Sequence, residues 1–133
     1  MPMIVGVVLA VLVGVFAMAT GLDRDRAFYP VVTIVIAAYY ILFAVLRESH
    51  QALWRESLIS IAFVIVAVVG FKRSLWMVVI ALAAHGIFDY FHRAVVTDPG
   101  VPAWWPGFCL GYDVAAAAFL GWSLSSGRVR AAA

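Results

Sequence analysis

Five long apolar runs separated by short polar joints leave this chain few folds to choose from. They cover about residues 3–20, 31–46, 52–71, 74–97 and 107–124. At 1.5 Å of rise per residue, each can cross a hydrocarbon core of about 30 Å, with tilt or flanking residues making up the shorter ones. Charge collects in the joints: Asp23, Arg24, Asp25 and Arg26, then Arg47 to Gln51, then Lys72 and Arg73, then Asp98 to Pro106. The predicted architecture is all-α, one transmembrane domain over residues 1–133 built as a bundle of five transmembrane helices. Composition supports this, because only 12% of the residues are charged where a soluble domain needs roughly 25%. A net charge of +2 with scattered basic residues argues against nucleic acid as a partner. The single cysteine, Cys109, excludes an internal disulfide framework.

The first run ends in Ala17-Met18-Ala19, which mimics a small-x-small cleavage site. Met1 to Val5 carries no basic residue, however, and the run exceeds a typical signal core, so it reads as a retained anchor. Gly6, Ala10 and Gly14 recur every four residues in it, as do Gly107, Gly111 and Ala115 in the fifth run. Such seams let helix backbones approach closely, within the chain or between copies in a homo-oligomer. Arg24, Arg26, Lys72, Arg73, Arg128 and Arg130 fall on one side of the membrane, against Arg47, Arg55 and Arg93 on the other. That bias predicts the N-terminus outside and the C-terminus cytoplasmic. Eight arginines to one lysine, with abundant Ala and Val, fit a GC-rich bacterial genome and hence a bacterial cytoplasmic membrane.

The fourth run carries His85, Asp89 and His92. Steps of four and three residues, about 100° each, put them within about 60° of one helix face. A carboxylate in lipid costs about 2.5–3.5 kcal/mol on insertion scales, so a helix that keeps this stripe is expected to use it. Threading the topology brings Asp113 of the fifth run to the depth of Asp89, roughly 10–12 Å below the outer surface. Asp113 also points away from the Gly111–Ala115 seam. The two carboxyl groups are therefore expected to face one cavity within about 8 Å of each other. Glu56 starts the third run on the same side, and Glu48 and His50 lie in the joint before it. Small residues beneath the polar ones, Ala81, Ala116 and Ala117, leave room for a ligand.

Aromatic walls are expected around this cluster from Tyr39, Tyr40, Trp54, Phe88, Tyr90, Phe91, Trp104, Trp105, Phe108 and Tyr112. Tyr39, Tyr40, Trp104, Trp105, Phe108, Tyr112 and Arg93 are the candidate substrate-binding residues. Plainer roles compete: Trp104 and Trp105 as interfacial belt residues, Asp89 with Arg93 as an i,i+4 ion pair, His50 as a solvated side chain. A His–Asp pair between helices can also serve only to bond them. Such bonds average about 0.6 kcal/mol, well below the cost of inserting two carboxylates, which favours function.

Three mechanisms fit these residues. In the first, Asp89, Asp113, His85 and His92 transfer protons to a lipophilic substrate, isoprenoid- or lipid-like, as an isomerase or cyclase would, with no cofactor required. Aromatic faces would stabilise a cationic intermediate. In the second, His85, Asp89, His92, Asp113 and Glu56 ligate zinc or iron for hydrolysis or oxygenation of a lipid. His85 and His92 are about 10.5 Å apart along the axis, so a dinuclear site bridged by Asp89 suits them better than one ion. In the third, the cluster is a non-catalytic ion or proton relay, or the chain is a small subunit of a membrane complex.

The segment His85-Gly86-Ile87-Phe88-Asp89-Tyr90-Phe91-His92, with Pro102-Ala103-Trp104-Trp105-Pro106-Gly107-Phe108-Cys109 and Tyr112-Asp113 after it, resembles a family of small bacterial multi-pass membrane proteins of uncharacterised activity. The likeness covers about the last third of the chain and implies that His85 to Asp113 works as one unit. Five short spans with a His-x-x-x-acid helix facing a further acid are also similar in layout to sterol-isomerase-like membrane proteins.

Overall fold

In the computed structural model, which describes all 133 residues, five helices account for nearly the whole chain. They are α1 (Pro2–Thr20), α2 (Phe28–Leu46), α3 (His50–Lys72), α4 (Trp76–Val95) and α5 (Trp105–Ser125), with one 3₁₀ turn, Leu22–Arg24, between α1 and α2. All five are long and apolar enough to cross a membrane. Their ends fall within three residues of the expected spans. Pro30 and Pro106 lie in first turns, where a missing N–H costs no intrahelical bond. Gly21, at φ 80°, ends α1 in the left-handed conformation that closes many helices.

The helices form an open arc in the order α1, α5, α4, α3, α2, with α2 also touching α4. The two small-residue seams meet inside the chain. A methyl added at Gly6 would lie 2.1 Å from the Phe108 carbonyl oxygen, and one at Gly111 would lie 2.2 Å from that of Met3. Gly14 faces the Phe119 ring, so α1 runs parallel to α5 with backbones in near contact. Gly6, Ala10, Gly14 and Gly111 are thus occupied within the chain, whereas a Cβ at Gly107 would meet nothing within 4 Å. α1 and α2 share no comparable interface, and the arc stays open between them.

The end of the bundle holding the α1–α2 and α3–α4 joints is tied to the C-terminal tail. Arg26 donates to the carbonyls of Arg130, Ala131, Ala132 and Phe71. Arg128 pairs with the buried Asp23 and donates to the Met18 carbonyl. Tyr29 is buried in the first turn of α2 and packs with the core around Leu82 and Leu120. Ala116 and Ala117 are filled into that same core, so the room expected beneath the polar residues is taken up by packing.

Candidate functional site

Five acidic or histidine side chains are buried in the half of the bundle that holds the α2–α3 and α4–α5 joints: Glu56, His85, Asp89, His92 and Asp113. On α4, one face carries Val78, Ala81 and Leu82 in its first half and His85, Asp89 and His92 in its second, all buried. The expected stripe is therefore present and points into the bundle. Asp113 reaches it from α5 because α4 has a glycine at the crossing. A Cβ at Gly86 would lie 3.1 Å from the Asp113 Cβ, tighter than side chains normally pack. Gly86 stands in the segment quoted above, but spacing arguments assigned it no role.

His85 is the hub. Its Nδ1 lies 2.8 Å from Asp113 Oδ2 and 3.3 Å from Asp89 Oδ2, with the three residues at most 2% exposed. An imidazole nitrogen carries at most one hydrogen. Nδ1 can therefore serve one of the two carboxyl groups at a time, and Asp113 is the nearer. Both oxygens of Asp89 and Oδ1 of Asp113 are left buried without a hydrogen-bond partner. Isolated polar atoms in a low dielectric are costly, so this is a place where a proton or a ligand is wanted. Phe63 packs its edge on the His85 ring at 4.7 Å. The Tyr40 ring stands 6.2 Å from the His85 ring, and Cys109 is buried one turn before Asp113 on α5. Neither Phe63 nor Cys109 was a sequence candidate, and only their apolar periodicity hinted at burial.

His92 and Glu56 form a second unit. Nε2 of His92 lies 2.7 Å from Oε1 of Glu56, and the Tyr40 ring stacks on the imidazole at 4.1 Å. The bridged two-metal arrangement of all five residues is not what forms, because these two turn their facing atoms on each other. Only His85, Asp89 and Asp113 bring donor atoms together, within 4.8 Å of one another. These three are the residues able to hold a single ion. Asp89 and Asp113 thus meet the expectation of close carboxyl groups. Asp113 is also among the residues around a neighbouring apolar space, although its own surface is fully covered.

That space is an apolar cleft of about 430 Å³ at the opening between α1 and α2, backed by α5. Tyr39, Trp105, Phe108 and Tyr112 line it as expected, together with aliphatic residues of α1 and α2, and Asp113 is its one charged residue. Other expected wall residues are elsewhere. Tyr40 is buried behind the cleft, while Trp54, Tyr90, Phe91 and Trp104 are exposed on the outside of the bundle. Trp104 therefore fits the belt role and Trp105 the pocket role. Arg93 is exposed, forms no ion pair with Asp89 and does not reach the site. Glu48 and His50 are likewise exposed at the bundle end. Comparison with family models, curated proteins and solved structures finds no match.

Proposed function

We propose that this chain is a membrane-embedded enzyme that moves protons on a lipophilic, isoprenoid- or lipid-like substrate, in the manner of an isomerase or cyclase. One observation carries the reading: Asp113 belongs both to the buried His85–Asp89–Asp113 group and to the wall of the apolar cleft. One proton shared between the two carboxyl groups, beside the imidazole N–H, relieves part of the shortfall left by three buried oxygens that have no partner. Asp113 is then the group that gives a proton to a substrate carbon. Removal of a proton from a neighbouring carbon returns the site to its starting state, so the cycle needs no outside reductant or cofactor. The rings of Tyr39, Trp105, Phe108 and Tyr112 face the same space and favour positive charge developing there.

A second reading rests on the three donor atoms. Ligands of a tetrahedral zinc ion stand about 3.4 Å apart, and His85 Nδ1 lies 2.8 and 3.3 Å from the two carboxylates. A divalent ion there would supply Lewis-acid activation for hydrolysis or oxygenation of a lipid. One experiment separates the two readings. Purified protein in nanodiscs made from total bacterial lipid is incubated in D2O, and the extracted lipids are analysed by mass spectrometry alongside the metal content. Carbon-bound deuterium in one lipid class with no stoichiometric metal supports proton transfer. About one metal equivalent per chain and no such deuterium overturns it in favour of the second reading.

The basic bias places the cluster in the outer half of a bacterial cytoplasmic membrane. A cysteine at Ala103, exposed in the α4–α5 joint, is expected to react with an impermeant thiol reagent on intact cells, and one at Ser126 only after permeabilisation. Native Cys109 is buried and stays silent. Gly100 is a poor labelling position, since a side chain there would lie 2.2 Å from the Phe43 carbonyl oxygen. The reverse labelling pattern would put the cleft in the cytoplasmic leaflet.

A further inference from the structure

The cleft has a shape and two polar marks that together specify a ligand. Its lining comes from α1, α2 and α5, so it lies beside the gap in the arc between α1 and α2, along helices apolar enough to be surrounded by lipid chains. Val31, Val35 and Tyr39 of α2 and Leu9 of α1 line its mouth and are strongly exposed. A chain passing from lipid into an apolar cleft gains almost nothing from the hydrophobic effect, because its surroundings are equally apolar before and after. Selectivity must then come from close packing and from the few polar groups in the wall.

Two such groups lack a partner. Trp105 Nε1 is a buried donor with nothing to donate to, and Asp113 Oδ1 is a buried oxygen in the same position. Both residues line the cleft, and both stand on α5. Eight residues separate them, about 12 Å along the helix axis. Trp105 is at the end near the α4–α5 joint, where headgroups lie, and Asp113 is deeper.

We infer that the cleft is a lateral portal for a single-chain lipid that carries one oxygen acceptor at its headgroup end. Trp105 Nε1 donates to that oxygen, and the hydrocarbon runs inward along α5 until its reactive carbon meets Asp113. The chemistry at Asp113 rests on the acid–base reading above; the route and the Trp105 contact do not. Neither Asp113 nor Trp105 Nε1 offers surface to a water-sized sphere, so both contacts need the wall of the cleft to shift. Two-chain lipids do not suit a cleft of about 430 Å³, which lies at the small end of ligand pockets.

Photolabelling tests this directly. Full-length protein in vesicles of phosphatidylethanolamine and phosphatidylglycerol is exposed to two probes, a long-chain primary alcohol bearing a mid-chain diazirine and the hydrocarbon of equal length bearing the same group. Labelled residues are mapped by mass spectrometry and normalised to lipid-facing Ile61 and Ile80. The alcohol is expected to label Leu9, Val35 or Tyr112 above these controls, and more than the hydrocarbon does. Val35→Trp fills the mouth and should reduce cleft labelling by both probes about tenfold, whereas Ile61→Trp should not change it. Trp105→Phe keeps an aromatic side chain while removing the donor and part of the indole's volume, and should abolish the preference for the alcohol while hydrocarbon labelling persists. Uniform labelling, or no loss in Val35→Trp, overturns the portal; an alcohol preference unchanged in Trp105→Phe overturns the acceptor contact. Deuterium incorporation without cleft labelling would sink this inference alone, and cleft labelling without deuterium would sink only the acid–base reading.

Discussion

Replacing Glu56 by leucine destabilises the protein in detergent by about 1–3 kcal/mol, the cost of leaving a buried hydrogen-bonding group without its partner. The 2.7 Å contact with His92 Nε2 is in the range of charge-assisted bonds, and both side chains are at most 1% exposed. Tyr40 stacks on the imidazole at 4.1 Å and so packs one face of the ring. Without Glu56, both ring nitrogens of His92 would be buried unpartnered, since Nδ1 already has no bond. The companion variant His92→Leu leaves Glu56 stranded and is expected to cost a similar amount. The double variant, with both residues leucine, should recover most of the stability, because an apolar pair carries no desolvation penalty. Chemical or thermal melting of the four proteins in one detergent completes the cycle. A cost near the 0.6 kcal/mol average of membrane helix bonds for each single variant would show that the pair is neutral and weak.

That pairing also shows where sequence reasoning stops. The α4 stripe was legible because helical period and burial speak together: one polar face in an apolar run has only the bundle interior to turn to. The meeting of Asp89 with Asp113 followed from counting depth along two spans. The partner of His92 did not follow, because α3 is apolar nearly all round after its first two turns and nothing in it declares which face turns inward. Glu56 could be placed near the right end but not on the right side. The opening between α1 and α2 was invisible for a related reason. Valine and leucine suit lipid and protein equally well, so an unpacked helix face reads like a packed one. The seams were legible as close-approach surfaces, but that Gly6 and Gly111 would meet each other depended on the order of helices around the arc. Tyr29 and Trp104 make the point at the bundle ends, where aromatic residues a few positions from a joint went one inward and one outward.

Asp113→Asn is expected to remove carbon-bound deuterium incorporation by a factor of about 10²–10⁴, the usual worth of a positioned acid or base, while stability holds or rises. The two halves of this expectation have the same cause. An amide oxygen still accepts from His85 Nδ1, so the contact now 2.8 Å long survives. One of two carboxyl groups crowded around a single imidazole is gone, and with it a group that favours water over a buried site. Residues kept for chemistry at a cost to folding behave in this way. Were Asp113 only a bond between α4 and α5, the opposite ranking would hold, with melting temperature falling and turnover declining only in proportion. Asp89→Asn is expected to follow Asp113→Asn in both readouts, and no compensating loss complicates it, since Arg93 is exposed and unpaired with Asp89. Gly86→Ala supplies the structural control. Its methyl would press on the Asp113 Cβ at 3.1 Å and so lower stability and activity together. Deuterium incorporation and melting temperature measured on the same three purified variants decide between the two. If both aspartate variants melt earlier yet still deuterate lipid at the wild-type rate, the cluster is structural and the acid–base site lies elsewhere.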